Sequence, residues 1–253
     1  ANLLYPLIPA TRKIGYDSIR AKDGHGWFIN ESIHPGRDHT LDGFLRFADA
    51  LGIEHKTIEW NLPIPQEASD WANNHLPVTT RPIVIVNPAA SKEERSWPVE
   101  RYIDVIEQLT LRWQAEIVLT GGPGVYDKHL AEAIVSAVPT VINLVGKTIP
   151  KQLLALIKQA DVVLCPDTGP SHMAAAVGTP VIALHAVTSA DVSGPYPYRH
   201  LAVDCYSQAV TDILQKTQES NVWGTHAHGS ETMKLVEVAA VIEKLSIVLG
   251  SYV

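Results

Sequence analysis

Between Ile83 and Leu184, short apolar runs alternate with stretches of helical periodicity, and few folds accommodate that rhythm. Ile83–Val86 follows Arg81-Pro82. Pro98 then stands where a first helical turn places it, and Val99, Tyr102, Ile103, Ile106 and Leu109 follow at helical spacing. Glu116–Thr120 reads as the next strand, Gly121-Gly122-Pro123-Gly124 as its turn and Val125–Ser136 as a helix. The series continues with strand Val141–Leu144, a helix opened by Pro150, strand Asp161–Cys165, helix Ser171–Val177 and strand Val181–Leu184. Successive β-α units with short connections predict a parallel sheet covered by helices on both faces, an α/β, Rossmann-like domain.

Residues 1–58 break the rhythm, with strands expected over Lys13–Tyr16 and Gly26–Ile33 and a helix over Leu41–Leu51. The proline-bearing segment Glu59–Pro82 shows little periodicity and reads as a linker. A stripe of Leu235, Ala239, Ile242, Leu245 and Leu249 predicts a terminal helix docked on the core. Glu231, Glu237 and Glu243 would oppose an anionic membrane. The best apolar run is interrupted by Gly178 and Pro180, so at most peripheral membrane contact is expected. A formal net charge of −7 argues against a nucleic-acid partner but permits a local basic cleft. Cys165 and Cys205, the only cysteines, are too few for a disulfide framework or a cysteine zinc site.

Polar residues collect where strands end. In CPDTGPSHMAAAVGTPVIALHA, residues 165–186, a strand runs directly into Asp167, Thr168, Gly169, Ser171 and His172. Ligands of open parallel sheets gather beyond the carboxyl ends of the strands, and a helix N-terminus offers unpaired N–H groups and a positive dipole end. A helix cap accounts for one polar residue; five point to an anion site. In NPAASKEERSWPVERY, residues 87–102, Ser91, Lys92 and Arg95 suit phosphate oxygens, Arg95 bidentately. Glu93 and Glu94 make a solvated loop the competing reading. At the Gly121–Gly124 turn, Asp127 suits ribose hydroxyls or is merely a first-turn carboxylate. Three such loops at one sheet edge predict a nucleoside diphosphate site. No metal is expected, because there is no Asp-x-Asp pair and His226 and His228 lack a nearby third ligand. Arg20, Lys22 and His25 are candidates for an anionic acceptor group, opposed by Asp17 and Asp23.

The ordered set AASKEERSWP, GGPG, PDTGPSHMAAAVGTPVIAL and SGPY resembles glycosyltransferase family 9, the bacterial heptosyltransferases of the lipopolysaccharide inner core. Its most specific part is DTG-x-x-H-x-A-A-A-x-G-x-P. IGYDSIRAKDGH, residues 14–25, is similar to the later part of the family's N-terminal domain. The resemblance implies a GT-B fold of two Rossmann-like domains. Residues 1–58 would then be the remainder of an N-terminal acceptor-side domain, 59–82 the linker, and 83–253 the C-terminal sugar-nucleotide-binding domain. It further implies that Asp167, Thr168, Gly169 and His172 bind donor phosphate and sugar, that Ser91 and Arg95 bind phosphate, and that Thr148 lines the adenine. Arg95 stands where a lysine is more usual. The family's ribose glutamate has no strict match, since Val125 falls near its place and Asp127 two residues later; Ala186-Val187 replaces its usual glycine and proline.

The implied reaction is inverting displacement from an ADP-heptose donor onto a lipopolysaccharide core or other glycan acceptor. Arg95 would stabilise the leaving group, with no separate cofactor and no metal. The implied location is the bacterial cytoplasm, at the cytoplasmic face of the inner membrane. The family's glycine-rich opening motif, which carries the aspartate thought to deprotonate the acceptor, has no match before Arg12. The chain is therefore expected to be the later part of a longer enzyme whose base lies upstream. Two alternatives stay open: a GT-B sugar-nucleotide 2-epimerase and a non-catalytic sugar-nucleotide-binding module.

Overall fold

A computed structural model describes residues 2–54 and 57–252. In chain order the elements are β1 (Ile14–Gly15), β2 (Glu31–Ser32), α1 (Thr40–Ala50), α2 (Gln66–Asn73), β3 (Ile83–Val86), α3 (Val99–Trp113), β4 (Glu116–Leu119) and α4 (Val125–Ala137). There follow β5 (Ile142–Asn143), α5 (Pro150–Gln159), β6 (Val162–Pro166), α6 (Gly169–Val177), β7 (Val181–His185), α7 (Ala190–Ser193), β8 (Val203–Asp204), α8 (Tyr206–Asp212) and α9 (Val238–Leu249).

Six strands form one sheet in the order β5-β4-β3-β6-β7-β8, and every pairing is parallel. This is the alternating pattern expected from the sequence. Both faces of the sheet are covered, so successive strand residues alternate between two apolar cores rather than between core and water. Val84, Val86, Val162, Leu164, Ile182 and Leu184 join the core beneath α3, α4 and α9. Ile85, Val163, Cys165, Val181 and Ala183 join the opposite core with residues of α2, α5 and α6. Burial pushes the Cys165 thiol up to about 12, which makes it an inert packing residue. Among the described residues, no helix is long and apolar enough to cross a membrane.

Growth of the sheet reverses at β3. β4 and β5 lie on one side of it and β6, β7 and β8 on the other. The connections leaving β3 and β6 therefore diverge, opening the crevice in which such sheets bind ligands.

Elsewhere the structure departs from the expected elements. The segment 59–82 contains α2, which places Ala68 and Ala72 against the core beside α5. Small alanines on one short face make a weak periodic signal. In place of a strand over Gly26–Ile33, a 3-10 turn covers His25–Phe28, and only Glu31–Ser32 pairs with β1. Gly24, at φ +69°, turns the chain there.

The N-terminal segment docks through the start of α1. His39 donates from Nε2 to the Gly194 carbonyl (2.9 Å) and accepts the Leu41 amide at Nδ1 (3.1 Å). Thr40 donates to the Val192 carbonyl (2.8 Å), and Tyr196 donates to Asp42 (2.6 Å). Burial holds His39, His185 and His226 below the usual histidine range. The unfolded chain therefore binds protons that the folded chain refuses, and stability must fall as pH drops through about 6.5 and below. The thermal midpoint should decline between pH 7.5 and 5.5, and His39→Gln should shrink that decline. A midpoint that rises toward acid would contradict these directions.

Candidate functional site

The crevice after β3 and β6 is a cleft of about 480 Å³. Four segments line it: Asn87–Ser91 after β3, the Gly121–Asp127 turn after β4, Thr148–Leu153 at the start of α5, and Thr168–Met173 at the start of α6. Ser91, Asp127, Thr148, Thr168 and Gly169 thus meet around one space.

The loop after β3 is rigid for reasons legible in its composition. Trp97 is fully buried; its indole N–H donates to the Val236 carbonyl (2.9 Å), and its ring meets Tyr102 edge-on at 5.1 Å. The Ala90 amide donates to the Ser96 hydroxyl (2.9 Å), closing the loop on itself. At its base the Asn87 side-chain amide donates to the Ala89 carbonyl (3.1 Å), and the Thr120 hydroxyl donates to Asn87 (3.3 Å).

Arg95 and Asp167 do not line this cleft; with Thr188, Ser193 and His226 they line a separate polar cavity of about 320 Å³, and Arg95 is tied to the cleft through Ser91. Its Nη2 donates to the Ser91 hydroxyl (2.5 Å), and its Nη1 lies 3.8 Å from Asp167 Oδ2. Its Nε is buried without a partner among the described residues, a cost that an acceptor oxygen would remove. Lys92 is exposed and lines neither space. His172, also exposed, borders a third cavity of about 260 Å³ with His39, Phe44, Trp60 and Tyr196.

Several sequence assignments need correction. Ser171 is fully buried and donates its hydroxyl to the Thr168 carbonyl (2.7 Å), so it closes the first turn of α6 rather than facing the cleft. Asp127 lines the cleft, but its Oδ1 accepts the Gly122 amide (2.7 Å), making it the organiser of the glycine turn. A Cβ on Gly124 would come within 2.9 Å of that carboxylate. Arg20 donates to Asp17 (2.7 Å) and to the His34 carbonyl (2.9 Å). Burial raises the Asp17 carboxyl, but the bonds from Arg20 and the Ile19 amide outweigh it and hold the group below its usual value. Arg20 is therefore a fastener of the N-terminal segment. Lys22 and His25 line none of the three cavities, and His25 meets Tyr5 edge-on at 5.5 Å. His228 pairs with Glu94 at 2.8 Å.

Sequence reasoning missed the partners of Asp167. Thr188 and Ser193 donate hydroxyls to its Oδ2 at 2.7 and 3.3 Å. Thr188 lies between β7 and the SGPY stretch and Ser193 is that stretch's first residue, so the motif itself was the available signal.

The family model for glycosyltransferase family 9 (heptosyltransferase) matches residues 1–223. The lipopolysaccharide core heptosyltransferase OpsX of Haemophilus influenzae is 31% identical over 247 residues, covering 97% of this chain and 71% of that protein. Among solved structures, a family 9 glycosyl transferase from Veillonella parvula aligns with TM-score 0.72 at 19% identity, over 99% of this chain and 70% of that one. The Escherichia coli ADP-heptose lipopolysaccharide heptosyltransferase II aligns with TM-score 0.66 at 18% identity, over 99% and 73%. The E. coli heptosyltransferase WaaC, solved with ADP, aligns with TM-score 0.64 at 18% identity, over 98% and 70%. The fold is thus the GT-B type of these enzymes.

Proposed function

The chain belongs to glycosyltransferase family 9, and on that premise we propose that it moves a heptose from an ADP-linked donor to a lipopolysaccharide core acceptor with inversion at the anomeric carbon. The observation that most supports this reading is the mixed lining of the switch-point cleft. Ile149, Pro150, Leu153 and Met173 give it apolar surface that suits a planar base, and Ser91, Thr168 and the N-terminus of α6 give it polar groups that suit a diphosphate. The names of the relatives, one an enzyme of the lipopolysaccharide core and another solved with ADP, favour the same donor and acceptor.

In the proposed step an acceptor hydroxyl oxygen attacks the anomeric carbon, and the bond from that carbon to the β-phosphate oxygen breaks. ADP departs with the electron pair. Arg95 and the first amides of α6 stabilise the charge that develops on the leaving phosphate, and no metal is required. The acceptor's proton goes to a base that we assign to none of Asp17, Asp38 or Asp42. These are held by Arg20, Arg46 and Tyr196 respectively. The reaction is placed at the cytoplasmic face of the bacterial inner membrane, with the nucleotide sugar and a glycan as its partners.

Product analysis tests this reading. The natural full-length protein should convert ADP-heptose and acceptor into free ADP and a longer acceptor, with EDTA present. An isomerised sugar nucleotide, or tight binding with no turnover, would overturn it.

A further inference from the structure

A buried chain of side chains leads from β7 to the carboxylate at the end of β6. His185, the last residue of β7, is wholly buried. Its Nδ1 lies 3.3 Å from the Thr188 hydroxyl, and that hydroxyl donates to Asp167 Oδ2 at 2.7 Å. A hydroxyl has one proton to give. Thr188 spends it on Asp167, so toward His185 it can only accept, and Nδ1 must carry the ring proton.

The other nitrogen, Nε2, is buried without a partner among the described residues. A neutral ring protonated at Nδ1 leaves only a lone pair there, whereas the opposite tautomer would strand an N–H donor and the imidazolium a charge. Ser193 at 3.3 Å and Arg95 at 3.8 Å also converge on Asp167 Oδ2. Oδ1 takes no hydrogen bond from the described residues and belongs to a side chain that lines the polar cavity beside the cleft.

We propose that His185 and Thr188 are positioning residues: the relay His185 Nδ1–H to Thr188 to Asp167 Oδ2 locks the carboxylate so that Oδ1 is presented to a hydroxyl of the donor sugar. This rests on the reading of Asp167 as a donor-sugar ligand. Rotation of the carboxylate about its Cβ–Cγ bond would exchange the two oxygens, and the relay opposes it by tying one oxygen to the sheet interior. The bare nucleotide makes no use of Oδ1, so the relay serves the sugar and not the diphosphate.

Thr188→Val keeps the shape of the side chain and deletes the donated proton. Calorimetry should show ADP binding changed by less than about 2-fold but ADP-heptose weakened about 10-fold or more, the loss expected for one hydrogen bond to a charged group. Thr188→Ser, which keeps the hydroxyl, should restore binding of the sugar conjugate. Nitrogen-15 NMR should find His185 as the neutral Nδ1–H tautomer in the wild type and in Thr188→Ser, and not in Thr188→Val. Equal weakening of both ligands by Thr188→Val, no weakening of either, or an Nε2–H or doubly protonated His185 in the wild type would overturn the relay. Asp167→Asn separates the two levels of the argument. If it weakens the sugar conjugate selectively while Thr188→Val does not, only the relay falls; if it shows no such selectivity, the donor-sugar assignment falls with it.

Discussion

Arg95→Ala weakens ADP binding about 10- to 150-fold, the loss of about 1.5–3 kcal/mol expected for charge-assisted hydrogen bonds to phosphate. Arg95 lines the polar cavity next to Ser91 of the cleft, is held by Ser91 at 2.5 Å and lies 3.8 Å from Asp167, and its buried Nε–H has no partner among the described residues. Lys92, three residues earlier, has the same charge but is exposed and lines neither cavity. Lys92→Ala should therefore change ADP affinity by less than about 3-fold, in keeping with the small worth of exposed charges. Isothermal titration of both variants separates a positioned guanidinium from a generally basic loop. Equal effects from the two residues would mean that the loop acts only through its charge.

The second large effect is structural. Trp97→Ala destabilises the fold by about 3–5 kcal/mol, because a wholly buried indole leaves a cavity that its neighbours cannot fill. The variant also removes a donor from the Val236 carbonyl, to which Arg101 donates as well, and the edge-on contact with Tyr102. For a chain of this size the thermal midpoint should drop by roughly 6–20 °C. Trp97→Phe should recover part of the loss by refilling the space without restoring the N–H. Because Trp97 ends the loop that carries Ser91 and Arg95, the alanine variant should also lose ADP affinity at temperatures where it remains folded. A midpoint within about 2 °C of wild type would show that the loop is anchored elsewhere.

How much of this was legible in the sequence depends on what each signal encodes. The strands around β3, β6 and β7 were plain because both faces of a parallel sheet are buried and the strands read as unbroken apolar runs. The start of α3 was marked by Pro98 and that of α5 by Pro150. β8 has only Val203 and Asp204 in its ladder, too short to leave a periodic trace. α2 escaped notice because its buried face is made of two alanines. At the site, Ser91, Thr168 and Gly169, singled out by residue type and strand-end position, and Thr148, singled out by the family resemblance, line one cleft. Side-chain direction was not legible. Ser171 is one residue type among several that cap or bind, and only the turn of α6 decides that its hydroxyl points to Thr168. Arg20 is held by Asp17, and Asp127 lines the cleft while its Oδ1 accepts the Gly122 amide, local bonds that residue type alone does not announce. The Asp167 partners Thr188 and Ser193 lie 21 and 26 residues away in sequence and are brought near only by the pairing of β6 with β7.

The central claim, that an adenosine diphosphate occupies the crevice between the connections leaving β3 and β6, is tested most directly by amide hydrogen exchange with and without saturating ADP. Protection is predicted in segments 87–95, 121–127, 148–153 and 168–173, with 39–44 and 60–64 unchanged. Protection confined to 39–44 and 60–64, or none anywhere under saturation, would contradict it.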